Sequence, residues 1–385
     1  MLEVGQLGAY HPATPAAAVG IEACSATSRN IRHATLGNAM TTPSIRRPDR
    51  GKLSLIACTS GKLFASRVER QLMDLIRAED GDAEPVMRES EEVTFANGEM
   101  KTVIHENIRG DDVYVVQCID DPCSGKTVND NLMSLLTAVH AAFQSDAESI
   151  TAVIPQFPYS RQERKKARES ITAKLVSGML ESAGAKRVIT LDIHSEAIEG
   201  FFNHSILEDL HASKALIDYY RSRFPVENLC IVAPDTGGAH MARHYSNVFQ
   251  AALAVVDKAR DYSRASVIES MRLVGNVDGK RVFMPDDLIA TGGTLINACR
   301  LLKENGAKEI VLACSLAFLN GSAREKLTKA HKEGLFEALI GTDAVQHGDS
   351  FSRDNPWYHE VTVAPLFANV IFNINRRRSV SALLR

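Results

Sequence analysis

Two aspartates and a Thr-Gly-Gly-Thr turn stand together at the end of an apolar run, where residues 283–294 read FMPDDLIATGGT. Glycines let backbone N–H groups approach a phosphate, and the start of the following helix adds the positive end of its dipole. The hydroxyls of Thr291 and Thr294 extend the donor set around Gly292 and Gly293. Asp286 and Asp287 are acceptors suited to the paired hydroxyls of a ribose. A plain strand–turn–helix with Thr294 near its N-cap would account for the turn, but not for the acid pair ahead of it. The expected ligand is a phosphorylated sugar.

Five further clusters carry chemistry-bearing side chains. Residues 159–168, YSRQERKKAR, follow the apolar run ITAVIP. A charge run is usually a solvated helix face, but one so strongly one-signed at a strand's end suits polyphosphate, and arginine clamps phosphate oxygens bidentately. Residues 189–196, ITLDIHSE, put Asp192 and His194 on one face of a strand by its period of two. Residues 232–238, VAPDTGG, place Asp235 at another strand-to-helix turn, and 257–260, DKAR, follow the run AALAVV. Residues 95–99, FANGE, combine an aromatic ring with acceptors around the turn signal Asn-Gly.

These clusters need a scaffold that gathers strand ends. Short β-branched runs at 53–58, 113–117, 150–154, 187–191, 229–233, 251–256, 281–284 and 309–315 alternate with helical patterns at 131–143, 172–182, 212–223, 293–305 and 322–333. Near-continuous apolar strands separated by amphipathic helices predict an α/β fold with parallel sheets covered on both faces. So many strands predict two doubly wound domains, 51–200 and 201–385, the last residues packing back on the first. Ligands then gather at the carboxyl ends of the strands.

Composition excludes other classes. Of 385 residues, 45% are hydrophobic and 24% charged, and a net charge of −3 offers no global field for nucleic acid. No apolar run approaches the roughly 20 residues that span a bilayer. The 7 cysteines form no CxxC pair, which points to a reducing compartment, the cytoplasm. Residues 1–50 are rich in Ala, Thr, Ser and Pro, with Arg29, Arg32, Arg46, Arg47 and Arg50 against few acids. They read as a disordered extension, with an Arg-rich transit peptide as the other reading.

Taken in order, the segments resemble those of the ribose-phosphate diphosphokinase family, from about Lys62 to Asn320. That resemblance implies phosphoribosyltransferase-like sheets and transfer of diphosphate from Mg–ATP to ribose 5-phosphate. It implies that Asp286 and Asp287 hold the ribose hydroxyls, and that Thr291, Gly292, Gly293 and Thr294 cradle the 5-phosphate. PQFPYSRQER is similar to the family's ATP-gripping segment, which assigns Arg161, Gln162 and Arg164 to ATP. DIHSEAIEGFF is similar to a segment whose histidine contacts Mg2+, so His194, with Asp235, would be the metal's protein partners. DKAR resembles a mobile catalytic loop, in which Lys258 and Arg260 join Arg164 in neutralising charge. FANGE resembles a segment reaching adenine from a neighbouring subunit, implying Phe95, Asn97 and Glu99 as ATP contacts and a homo-oligomer, a hexamer by resemblance. A type I phosphoribosyltransferase would explain the turn but leave the other clusters unused. A regulatory paralogue would explain two departures, Ala290 and Asn97, where the family has Asp.

Overall fold

The apolar runs pair as parallel sheets because each crossover between them is long enough for a helix. The structure, a computed structural model, describes residues 50–260, 268–348 and 350–383. The anticipated N-terminal extension lies outside them, but for Arg50. The first lobe runs β1 (Leu53–Ala57), α1 (Lys62–Asp80), β2 (Ser90–Thr94), β3 (Met100–Ile104), β4 (Asp112–Val116), α2 (Val128–Gln144), β5 (Ser149–Val153), α3 (Thr172–Ala183), β6 (Arg187–Leu191) and β7 (Ile206–Leu210). Its 5-stranded sheet has the order β1-β4-β5-β6-β7, and β2 and β3 form a separate 2-stranded hairpin. The pairs in the larger sheet are all parallel.

The second lobe continues with α4 (Ser213–Arg223), β8 (Leu229–Ala233), α5 (Ala239–Phe249), β9 (Ala252–Arg260), β10 (Ile268–Val274), β11 (Arg281–Ile289), α6 (Gly293–Glu304), β12 (Glu309–Ala317), α7 (Ala323–Lys332), β13 (Ala338–Thr342), α8 (Phe351–Asp354), β14 (Tyr358–Val361) and α9 (Ala364–Asn375). Its 7-stranded sheet has the order β10-β9-β8-β11-β12-β13-β14, parallel except for β10. The sheets divide between Leu210 and Leu229, past the expected boundary at Gly200, because β7 pairs with β6.

Alternation along each strand explains the layering. Ile56, Val113, Val115 and Ala152 face α2 and α3 in one core, while Leu55, Tyr114, Val116 and Val153 face the other way. That second face shares its core with α1, α4, α5, α9 and one face of the second sheet, through Ile231, Phe283 and Ile340. The opposite face of the second sheet, through Val232, Met284 and Leu312, packs on α6 and α7. A shared central core ties the lobes and so fixes one set of strand ends against the other. The chain's C-terminal part also returns to the first lobe, where Asn375 donates to Asp112 at 3.1 Å and Arg378 to Glu79 at 2.6 Å. Among the described residues Cys58, Cys118, Cys230, Cys299 and Cys314 are free, and no helix is long and apolar enough to cross a membrane.

Candidate active site

β11 is the site's main carrier, and its pairing creates the opening. It pairs with β8 only over residues 281–283 but with β12 as far as Ile289. The overhanging part, which includes Asp286 and Asp287, therefore borders a crevice on the β8 side. There the strand order reverses, the place where open α/β sheets bind ligands. Next comes the turn: Gly292 is left-handed at φ 71 and caps α6, which has no side-chain cap. The cap is Gly292, with Thr294 two residues into the turn, so the Thr294 hydroxyl is not spent on capping. Thr291 and Thr294 are exposed, and the first amides of α6 remain as anion donors.

Both lobes contribute charge. His194, beyond β6, reaches Asp287 with Nδ1 2.6 Å from Oδ2. That bond raises the imidazole's pKa against the opposing effect of burial. Burial, followed by the repulsion of Asp287 and Asp235, pushes the Asp286 carboxyl well above the usual range. Asp235 is held by the Gly238 amide, which donates to Oδ1 at 3.0 Å. Arg161 and Glu163 also act electrostatically on His194, so the 159–168 segment lies at this same end. Such crowded carboxylates favour a ligand that brings cations or hydroxyl donors.

Magnesium would find a partial donor set. No group of three or more His, Cys, Asp or Glu forms a ready cage among the described residues. Yet the Asp235–Asp286–Asp287 repulsion is what a hard cation relieves, and Mg2+ keeps several positions for phosphate and water. His194, its Nδ1 oriented by a carboxylate, has the usual pose of a ligating histidine. The residues fit the ion on those terms.

The remaining segments are less committed. Residues 161–170 form an irregular loop, not the solvated helix face a charge run suggests, and Arg161, Gln162 and Arg164 are exposed. Gln162 accepts from the Thr172 hydroxyl at 2.7 Å, while Arg164 pairs with its neighbour Glu163 at 3.3 Å. At the β2–β3 tip, Asn97 accepts from the Glu99 amide at 3.2 Å, and the Phe95 ring is 46% exposed beside Lys101. Lys258 and Arg260 lie within β9, opposite Met271 and Ile268 of β10. The expected loop is thus still strand to Arg260, and residues 261–267 lie outside the described ones. A groove of about 790 Å³ lined by Met133, His140, Leu175 and Met179 shares no residue with the site.

Asp192 corrects the sequence reading. β6 ends at Leu191 and Asp192 is left-handed at φ 41, so strand alternation stops before it. Its carboxylate turns to His211 at 2.9 Å, to the Ala212 amide at 3.0 Å and to the Ser315 hydroxyl. It is a link between lobes, distinct from the His194 contact. Glu92 also escaped notice: it accepts from the Thr59 amide at 2.6 Å and pairs with Lys126, pinning the β2–β3 hairpin to the body. The only sequence signal for Glu92 is a buried acid on an otherwise polar strand, which composition cannot distinguish from a solvated one.

Two open sheets with an acid pair and a glycine turn at a switch point define a phosphoribosyltransferase-like α/β protein. Residues 53–184 match the N-terminal domain of ribose phosphate pyrophosphokinase, and residues 204–350 match the phosphoribosyl transferase domain. The ribose-phosphate pyrophosphokinase of Listeria ivanovii is 37% identical over 323 residues, covering 84% of this chain and 96% of that protein. That of Corynebacterium ammoniagenes is 38% identical over 290 residues, 75% of this chain and 87% of its own. Phosphoribosylpyrophosphate synthetase from Mycobacterium smegmatis superposes with a TM-score of 0.74 at 30% identity, covering 85% of this chain and 99% of that one. The chain belongs to the ribose-phosphate pyrophosphokinase family, and is a transferase.

Proposed function

We propose that the chain transfers the β,γ-diphosphate of ATP to the anomeric hydroxyl of ribose 5-phosphate, giving phosphoribosyl diphosphate and AMP. The carrying observation is the crevice itself, where a half-buried acid pair stands beside a glycine-turned helix start with no side-chain cap. Asp286 and Asp287 accept from the ribose hydroxyls, while Thr291, Gly292, Gly293 and Thr294 donate to the 5-phosphate. The anomeric oxygen forms a bond to the β-phosphorus as the bond from that phosphorus to the α,β-bridging oxygen breaks. AMP leaves with that oxygen, and the hydroxyl proton passes to solvent. Arg164, Lys258 and Arg260 neutralise charge on the transferring group, with Arg161 and Gln162 on the polyphosphate. Phe95, Asn97 and Glu99 receive adenine at the exposed hairpin, which suits a homo-oligomer in which a neighbour supplies them.

Magnesium, held by His194 and Asp235 with substrate oxygens, would withdraw charge from the phosphates. The protein's own share is positioning and electrostatic preorganisation. Free cysteines agree with a cytoplasmic setting. The direct test is incubation with ATP, magnesium and ribose 5-phosphate, with AMP and phosphoribosyl diphosphate quantified. Equimolar products are expected; ADP as the nucleotide product would replace diphosphate transfer with simple phosphorylation and overturn the reading.

A further inference from the structure

The turn that would hold the sugar phosphate is braced by a residue from the opposite lobe. Asp120 lies on the loop between β4 and α2 and accepts from Asn320 Nδ2 at 3.5 Å, across 200 positions of sequence. Asn320 in turn donates its backbone N–H to the Ala290 carbonyl at 2.8 Å, and Leu319 donates to the Ile289 carbonyl at 3.1 Å. Those carbonyls immediately precede Thr291, so any shift of Asn320 is passed to the turn.

The local backbone is set up for this contact. Leu319 is buried yet left-handed at φ 53. A bulky side chain adopts that conformation only where its surroundings enforce it, and such sites cluster at functional positions. The loop carrying Asp120 is itself fixed: Asp121 accepts from the Cys123 amide at 2.9 Å, and the Cys123 thiol donates to the Gln346 carbonyl of the second lobe at 3.4 Å. Asp120 is half-buried, and burial raises its pKa against the bond from Asn320. Ala290 offers the turn only a methyl group, so the bracing carboxylate comes from the other lobe.

We propose that Asp120, acting through Asn320, is a positioning residue for the 290–294 turn and sets its affinity for the 5-phosphate of ribose 5-phosphate. The inference rests on the assignment of that turn to the sugar phosphate.

The test measures steady-state kinetics of the full-length chain against each substrate. Asp120→Ala should raise KM for ribose 5-phosphate roughly tenfold, the lower end for a charged hydrogen bond, and leave KM for ATP unchanged. Asp120→Asn keeps an acceptor for Asn320 and should restore KM to near the natural value, which a bulk folding defect would not allow. Asn320→Ala should match Asp120→Ala, and the double variant should be no worse than either single one. Equal shifts in both KM values, additive losses, or no rescue by Asn would each overturn the proposal. Thr291→Ala separates the two levels. If it raises KM for ribose 5-phosphate while Asp120→Ala does not, the bracing role alone falls. If Thr291→Ala leaves that KM unchanged, the turn is not the phosphate site and both readings fall.

Discussion

The sugar-phosphate side of the crevice and the nucleotide side are built on opposite principles. On the first, Asp286 and Asp287 sit inside a strand paired along its length with β12, and His194 is already locked to Asp287 at 2.6 Å. On the second, Arg161 and Arg164 are exposed on an irregular loop and Phe95 stands on the tip of a separate hairpin. Rigid sheet ends hold a geometry without ligand, at the cost of crowding like charges. Exposed loops hold little geometry but let a large anionic ligand organise them and exclude water as it binds. On the proposed assignment the two substrates would face different energetics: the hydroxyls of ribose 5-phosphate would relieve stored repulsion, whereas ATP would have to order its own contacts.

The largest effect should come from the cations assigned to the transferring group. Arg164 is ion-paired to its neighbour Glu163, at 3.3 Å with 76% of its side chain exposed, a pair of little value to stability. Arg164→Ala, Lys258→Ala and Arg260→Ala should each lower kcat by on the order of a hundredfold, comparable to losing one preorganised donor. The Arg164→Ala melting temperature should stay within a degree or so of the natural protein, as for surface substitutions generally. Stopped-flow and quench measurement of AMP release checks the rates. Near-normal kcat in all three would erase the catalytic half of the comparison.

A smaller effect is expected at the hairpin tip. Phe95 is 46% exposed, with Lys101 over its ring 5.8 Å from the centroid. Stacking of a base on an aromatic ring is worth about 1–3 kcal/mol, so Phe95→Ala should raise KM for ATP about tenfold. KM for ribose 5-phosphate should not move, and Phe95→Tyr should restore ATP binding. An equal change in both KM values would show that the hairpin supports the built side and would blur the contrast.

The built side was also the more legible in sequence, for a physical reason. A strand buried on both faces is a nearly unbroken apolar run, so β1, β4, β5, β6, β8 and β12 declare themselves, and the acids within β11 stand out against its apolar start. Strands β2 and β3, SEEVT and MKTVI, are only partly buried and read as surface. β10 is the antiparallel return of β9, and neither its period nor its composition distinguishes it from loop. Least legible are the long-range contacts. His194 and Asp287 are 93 positions apart, and Asp120 and Asn320 are 200 apart. Such pairs follow from how the sheets are stacked, which no local pattern encodes. Asp192 failed for a related reason: its left-handed backbone is imposed by partners in the other lobe, so strand periodicity gave the wrong face.

Glu181 offers the smallest and most specific check, because it holds the built side's exit path without touching the chemistry. It sits near the end of α3 and accepts the amides of Asn203, His204 and Ser205 at 2.8, 2.6 and 2.9 Å. Those residues lead from the His194 segment into β7. Burial alone would raise this acid, but the amides of His204, Ser205 and Asn203 outweigh it and hold the carboxyl at about 2. A folded pKa below the unfolded value, 4.5, means the contribution to stability is complete above about pH 4.5 and is lost as pH falls toward 2. Glu181→Gln keeps an acceptor but removes the charge. Its melting temperature should therefore lie on the order of 2 °C below the natural protein at pH 7, with the gap closing as pH falls from about 4.5 toward 2, where the carboxylate takes its proton first in the unfolded chain and then in the folded one. Kinetics at pH 7 should be unchanged in kcat and in both KM values. A gap that stays constant with pH would mean that shape, not charge, ties β7 to α3. A raised KM for ribose 5-phosphate would mean that the tether reaches His194, extending the preorganised side of the site by another layer.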